Sequence, residues 1–100
     1  MLMKNTIRQQ IINLLREDEF AARDLSVMLS ISEKEIYPHL EHIERTLVRK
    51  AGHLRIRPSR CLVCGFVFKE RHRFTKPSRC PVCRATHIRP PAYHVTGGDR

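Results

Sequence analysis

The residues in this chain with the clearest capacity for chemistry are its four cysteines. They fall as Cys61-Leu62-Val63-Cys64 and Cys80-Pro81-Val82-Cys83, two Cys-x-x-Cys pairs with fifteen residues between Cys64 and Cys80, and no cysteine is left over. A two-residue gap lets both thiolates of a pair turn back toward one point, so two such knuckles can supply the four corners of a tetrahedron around a zinc ion. Four thiolates close the coordination shell and leave no position for a reacting water, so the expected metal is structural.

The flanking residues agree in part. Gly65 follows the first pair, where the chain must bend sharply and glycine takes positive φ at little cost. Arg84 occupies the equivalent place after the second pair and fits it less well. Two disulfides would need an oxidising compartment, and the N-terminus lacks the charged start, apolar run and cleavage site of a secretory leader. A thioredoxin-like redox pair would use only one of the two motifs. His72 and His87 lie near the cysteines and could replace a thiolate only if the four-cysteine set were broken.

These knuckles must be held by other elements. Ile7, Ile11, Leu14 and Leu15 mark an amphipathic helix over about 6–17, with Asn5 or Thr6 as its cap. Ala22, Leu25, Met28 and Leu29 mark a second helix over 22–29, and Ser30-Ile31-Ser32 forms a short turn. Ser32 with Glu35 is a capping-box pattern that opens a third helix, whose stripe is Ile36, Leu40, Ile43 and Leu47. Pro38 predicts a kink in that helix or a later start. After Gly52 the alternating His53-Leu54-Arg55-Ile56-Arg57 reads as a strand of the metal-binding half, or one serving both halves. Phe66-Val67-Phe68, 86–89 and 92–95 read as further short strands, and 95–100 as a frayed tail. The fold class expected is α+β: an N-terminal three-helix, winged-helix-like helix-turn-helix domain (1–52) followed by a small C-terminal β zinc ribbon (53–100), packed as one body without a flexible linker.

Charge separates the halves. Residues 1–50 hold eight Lys/Arg and eight Asp/Glu, whereas 51–100 hold eleven Lys/Arg against Glu70 and Asp99, so the whole excess of nine positive charges sits in the cysteine half. Such a field favours a polyanionic partner. No apolar run is long enough to span a bilayer, which points to a soluble, cytoplasmic protein. No nucleophile–base pair, carboxylate pair or glycine-rich phosphate loop can be assembled, so no enzymatic activity is expected.

Two helices joined by a three-residue turn, with a third before them, form the helix-turn-helix pattern. The stretch from Ala21 to Leu40 resembles winged-helix regulators of prokaryotes, and Ile36-Tyr37-Pro38-x-Leu40 is similar to the recognition helix of PadR-like repressors. With Pro58-Ser59-Arg60-Cys61-x-x-Cys64-Gly65-Phe66-x-Phe68 and Pro77-Ser78-Arg79-Cys80-Pro81-x-Cys83, the chain resembles a family of small prokaryotic predicted transcriptional regulators. In that family a helix-turn-helix domain is fused to a zinc ribbon. The resemblance implies binding to duplex DNA and regulation of transcription.

On the helix-turn-helix pattern, Ser32, Lys34, Glu35 and His42 are the groove-facing candidates, with Arg45 and Arg49 suited to phosphates. Arg55, Arg57, Arg60, Lys69, Arg71, Arg73, Lys76 and Arg79 are the phosphate candidates of the ribbon. Two alternatives remain open. The ribbon could dock proteins of the transcription machinery or bind RNA, with Phe66, Phe68, Phe74 and Tyr93 available for stacking. The four sulfurs could instead hold iron for electron transfer, since Cys80-Pro81-x-Cys83 also occurs in rubredoxin-style sites. Ile12 and Met1-Leu2-Met3 are the only hints of a homodimer interface.

Overall fold

The computed structural model describes residues 6–98, which form three helices and five strands. Helix α1 (Ile7–Glu17) begins at Thr6, whose Oγ1 accepts the Gln9 N–H at 3.1 Å and satisfies a donor left free at the helix start. Asn5 and Met1-Leu2-Met3 lie outside the described residues. Strand β1 (Phe20–Ala21) leads directly into α2 (Ala22–Leu29), where Asp24 Oδ2 accepts the Ala21 N–H at 3.0 Å. Ser30 turns the chain with left-handed backbone at φ 57°. Helix α3 (Glu33–Arg49) then starts at Ser32, whose Oγ accepts the Glu35 N–H at 3.2 Å. It does not start late, and it runs through Pro38 without interruption.

The apolar stripes meet as their spacing demands. Ile11 and Leu15 of α1, Leu25 of α2, and Ile36, Leu40, Ile43 and Leu47 of α3 are all buried in one core. Each side chain of this kind contributes roughly 1.5–3 kcal/mol on burial.

The sheet departs from the expected division of the chain. Strand β2 (Gly52–Arg57) pairs antiparallel with β5 (Ala92–Gly97), in register from Gly52 opposite Gly97 to Arg57 opposite Ala92. β1 pairs with the other edge of β5, Phe20 opposite Tyr93, so the order is β1-β5-β2. Leu54, Ile56, Tyr93 and Val95 join the helical core. Residues 92–97, assigned from sequence to the ribbon, are therefore the central strand of the helical half, and β2 belongs to the same sheet. The expected frayed tail is ordered through Gly98. Gly97, at φ 66°, closes against residue 51, where a Cβ would stand 3.0 Å from the Ala51 carbonyl, and Arg16 Nη1 donates to the Gly97 carbonyl at 3.0 Å.

The chain between β2 and β5 forms the ribbon. Its sheet is β3 (Arg60–Cys61) against β4 (Ile88–Arg89), with Val67 bridged to Arg60. Phe66-Val67-Phe68 is not a strand. Its two phenyl rings meet edge to face at 5.0 Å and pack on a small core of Cys61, Cys80 and Ile88. Phe74 leaves this core entirely and buries itself in the helical one, 5.7 Å from the Tyr93 ring, while the Tyr93 hydroxyl donates to the Phe74 carbonyl. The basic loop is thus pinned to the helical half, and the two parts form one elongated body of 54 × 29 × 20 Å.

Candidate metal centre and cationic surfaces

The two knuckles are built alike. Gly65 N–H donates to the Cys61 carbonyl at 3.0 Å and Arg84 N–H to the Cys80 carbonyl at 2.9 Å. Cys61 N–H in turn donates to Phe66 at 2.8 Å and Cys80 N–H to Ala85 at 2.9 Å. Each turn needs a left-handed residue at its end: Gly65 has φ 85° and Arg84 has φ 65°. Glycine bears this without cost and arginine does not. Arg84→Gly should therefore stabilise the zinc-loaded protein by about 1 kcal/mol, read as a higher midpoint in a denaturant titration. A lower midpoint would mean that the Arg84 side chain contributes more than its backbone conformation costs.

The knuckles bring four sulfurs together. Cys61 and Cys83 Sγ are 3.5 Å apart, Cys64 and Cys80 Sγ are 3.6 Å apart, and all four lie within 4.8 Å of one another. The edge of a tetrahedron with zinc–sulfur bonds of 2.3 Å is about 3.8 Å, so the donor set fits one such ion. The separations are far above the roughly 2.05 Å of a disulfide. Backbone N–H groups already face the sulfurs, Cys64 to Cys61 Sγ at 3.5 Å and Val82 to Cys80 Sγ at 3.4 Å. Among the described residues neither His72 nor His87 joins the cluster.

The sulfurs titrate unequally. The Cys64 N–H, followed by burial acting against it and then other donors, leaves the Cys61 thiol lowered to about 6. At Cys64 the Phe66 N–H lowers the pKa, but burial and the neighbouring cysteines push it up to about 12. Cys80 is lowered despite burial, and Cys83 is raised by burial and its neighbours despite the Ala85 N–H. A divalent cation at their centre favours the thiolate form of all four.

The cationic candidates separate into several environments. Ser32 Oγ is engaged as the α3 cap, while Lys34 and Glu35 are exposed on the first turn beside it. Arg45 and Arg49 are exposed further along α3. His42 is not on the open face: it is half-buried where α3 meets α1, in a cavity shared with Thr6, Arg8 and Gln9. Arg55 is exposed on β2 opposite His94. Arg57 is held by Glu19 at 2.7 Å. Arg71 folds back on its own loop, donating to the Thr75 carbonyl at 3.2 and 3.3 Å and to Thr75 Oγ1 at 3.1 Å. Arg60, Lys69, Arg73, Lys76 and Arg79 are exposed. Phe74 and Tyr93 are buried and unavailable for stacking, and Phe66 and Phe68 are half-buried against each other.

One contact sequence reasoning missed joins the ribbon loop to the helices. Lys76 lines a cavity with Arg23, Glu33, Tyr37 and Tyr93, beside the first turn of α3. There the Tyr37 hydroxyl donates to Glu33 Oε2 at 2.9 Å. Burial first, and then that carboxylate, push the Tyr37 pKa up to about 12.

A ribbon whose two short strands position paired cysteine knuckles, carried on a three-helix body, defines a zinc-ribbon protein. The chain belongs to the PF0610-like family: residues 6–55 match its "PF0610-like, N-terminal" profile, and residues 58–96 match the "PF0610 rubredoxin-like zinc beta-ribbon domain". It is similar over 96% of its length to the solution NMR structure of protein PF0610 from Pyrococcus furiosus, of which it also covers 96%, at 29% identity and a TM-score of 0.76. No curated protein matches the chain. The ribbon accordingly holds one structural zinc ion at Cys61, Cys64, Cys80 and Cys83: the sulfur geometry fits a single tetrahedral ion, and the family description makes it zinc and not iron. Among the described residues no helix is long and apolar enough to cross a membrane.

Proposed function

We propose that the protein is a DNA-binding transcriptional regulator that acts by binding and not by catalysis. On this reading α2, the turn and α3 work as a helix-turn-helix, and the β2–β5 ladder is the wing, with the ribbon inserted between its strands. The observation that carries the reading is a strand, β2, that packs on α3 directly after a two-helix, three-residue-turn unit and pairs antiparallel with β5, which itself packs on α1. The exposed cations support it. Lys34, Arg45 and Arg49 sit on α3, Arg55 on the outer sheet face, and Lys76 beside the start of α3. Zinc sets the positions of β3, which carries Arg60, and of the loops carrying Lys69, Arg73 and Arg79, which add sequence-independent phosphate contacts. Arg57 and Arg71 serve the fold first, because each is already engaged within the chain.

A second reading rests on a different observation. Leu62, Val63 and Val82 stand more than half exposed at the knuckle tips, which suits docking of a protein of the transcription machinery.

The deciding measurement is fluorescence anisotropy of zinc-loaded protein on duplex DNA from upstream of its own gene. Scrambled duplex and single-stranded RNA are the comparisons, each at several salt concentrations. A regulator binds the native duplex tightest and keeps that preference at moderate salt. Equal, steeply salt-dependent binding to all three would reduce the protein to a basic surface. No binding at low salt would leave the docking reading.

A further inference from the structure

Helices α1 and α3 bring together five basic side chains, adding Arg8 and His39 to the His42, Arg45 and Arg49 of the helix-turn-helix pattern. Arg8 Nε donates to His39 Nδ1 at 3.2 Å, across 31 residues of chain. That bond makes His39 Nδ1 the acceptor and leaves Nε2 as the ring nitrogen that can donate. One turn along α3, His42 lines a cavity of about 240 Å³ with Thr6, Arg8, Gln9, Ile12 and Thr46. The pKa of His42 is lowered by desolvation first, then by Arg8, Arg45, Arg49 and His39. The charged groups acting on it are therefore Arg8 from α1 and His39, Arg45 and Arg49 from α3 itself. Glu33, Glu35, Glu41 and Glu44 share the helix, but among the described residues no carboxylate lies within ion-pair distance of any of these five.

Cations gathered without a counter-charge repel one another, and an anion placed among them converts that repulsion into binding. We propose that Arg8, His42, Arg45 and Arg49 form a phosphate-binding site, with His39 held in place by Arg8. Taken with the DNA-binding reading, on which this part of the inference rests, its ligand is a backbone phosphodiester of the duplex. A free inorganic phosphate offers the same chemistry. The guanidinium groups supply paired N–H donors to the phosphate oxygens. Desolvation first, and then its cationic neighbours, hold the His42 pKa below its ordinary value, and an anion among those neighbours opposes that shift and favours the protonated ring. Binding therefore tightens as pH falls from about 8 to 6, through the ordinary range of histidine.

The test follows the His42 ring by NMR in the zinc-loaded full chain from pH 5 to 8, alone, with inorganic phosphate, and with a 20-base-pair duplex. The expected result is an upward move of the His42 midpoint with duplex, lost in Arg8→Gln. In parallel, Arg8→Gln and Arg49→Gln should each reduce the slope of log affinity against log salt by about 0.9, one phosphate contact apiece. Circular dichroism and zinc content check that each variant is folded, and the second variant stands if the first is not. A duplex that binds with an undiminished salt slope in both variants and leaves His42 unmoved would overturn the proposal. If the duplex does not bind but inorganic phosphate moves His42, the regulator reading fails and the site stands as a small-anion site. If neither ligand moves His42, the site is refuted.

Discussion

Removing the zinc ion is expected to unfold residues 58–91 while the three helices remain. The apolar centre of the ribbon is only Cys61, Cys80 and Ile88 with Phe66, Phe68 and Ala85 against it, too small to hold two short strands unaided. Structural zinc contributes on the order of 10–16 kcal/mol in comparable peptides, which is more than such a core can replace. The helical core takes only Phe74 from this segment and keeps its buried helical stripes without the metal. Amide protection should be lost at Cys61 and Cys80, whose N–H groups close the knuckle turns, while the far-UV helical signal persists. Acid should produce the same partial state, because protons compete with the metal for the thiolates. Unchanged circular dichroism and melting after verified zinc loss would refute this. Helices melting in the same transition would show that β5 cannot hold its place without the ribbon.

The second large effect is expected at Tyr93, on the far side of the ribbon in sequence but at the centre of the helical half. Its side chain is fully buried, faces Phe74, and lies on the middle strand between β1 and β2. Tyr93→Ala should cost about 3–5 kcal/mol, which for a domain of this size lowers the melting midpoint by on the order of 15–30 °C. The loss should be seen in the helical signal and not only in the ribbon. Tyr93→Phe keeps the ring and removes only the hydroxyl bond to the Phe74 carbonyl, so it should cost about 1 kcal/mol. A helical melt untouched by Tyr93→Ala would mean that the helices hold together without the sheet.

What could be read in the sequence was local. The bounds of α2, the start of α3 at Ser32 and the choice of Cys61, Cys64, Cys80 and Cys83 follow from spacings of two to four residues, where periodicity and ligand geometry act directly. What could not be read was non-local. Nothing in His53 to Arg57 says that its partner is Ala92 to Gly97, because the pairing is made through backbone groups that every residue carries. Phe74 sits among Arg71, Arg73 and Lys76, so its neighbours in sequence suggest solvent, whereas its neighbours in space are core residues. Residues 95–100 read as a frayed tail because chain ends are seldom tied down. Here Gly97 lies against the Ala51 carbonyl and Gly52 against Gly98, where an added Cβ would stand only 3.0 and 3.1 Å from its neighbour. The Arg8–His39 contact carried no signal either, since it joins two helices 31 residues apart.

The insertion of the ribbon between β2 and β5 also has a meaning in time. The ladder joins residues from Gly52–Gly97 at one end to Arg57–Ala92 at the other, contacts of high order that form slowly because a long loop must close first. The metal shortens that search. Once Cys61 and Cys83 share an ion, only the short stretches from Arg57 to Cys61 and from Cys83 to Ala92 remain to be brought together. An ion that takes no part in chemistry thus helps to set how quickly a nascent chain becomes complete. Newly made copies in a zinc-poor cell would linger with β2 and the core face of α3 uncovered, the state most open to proteolysis and misassociation.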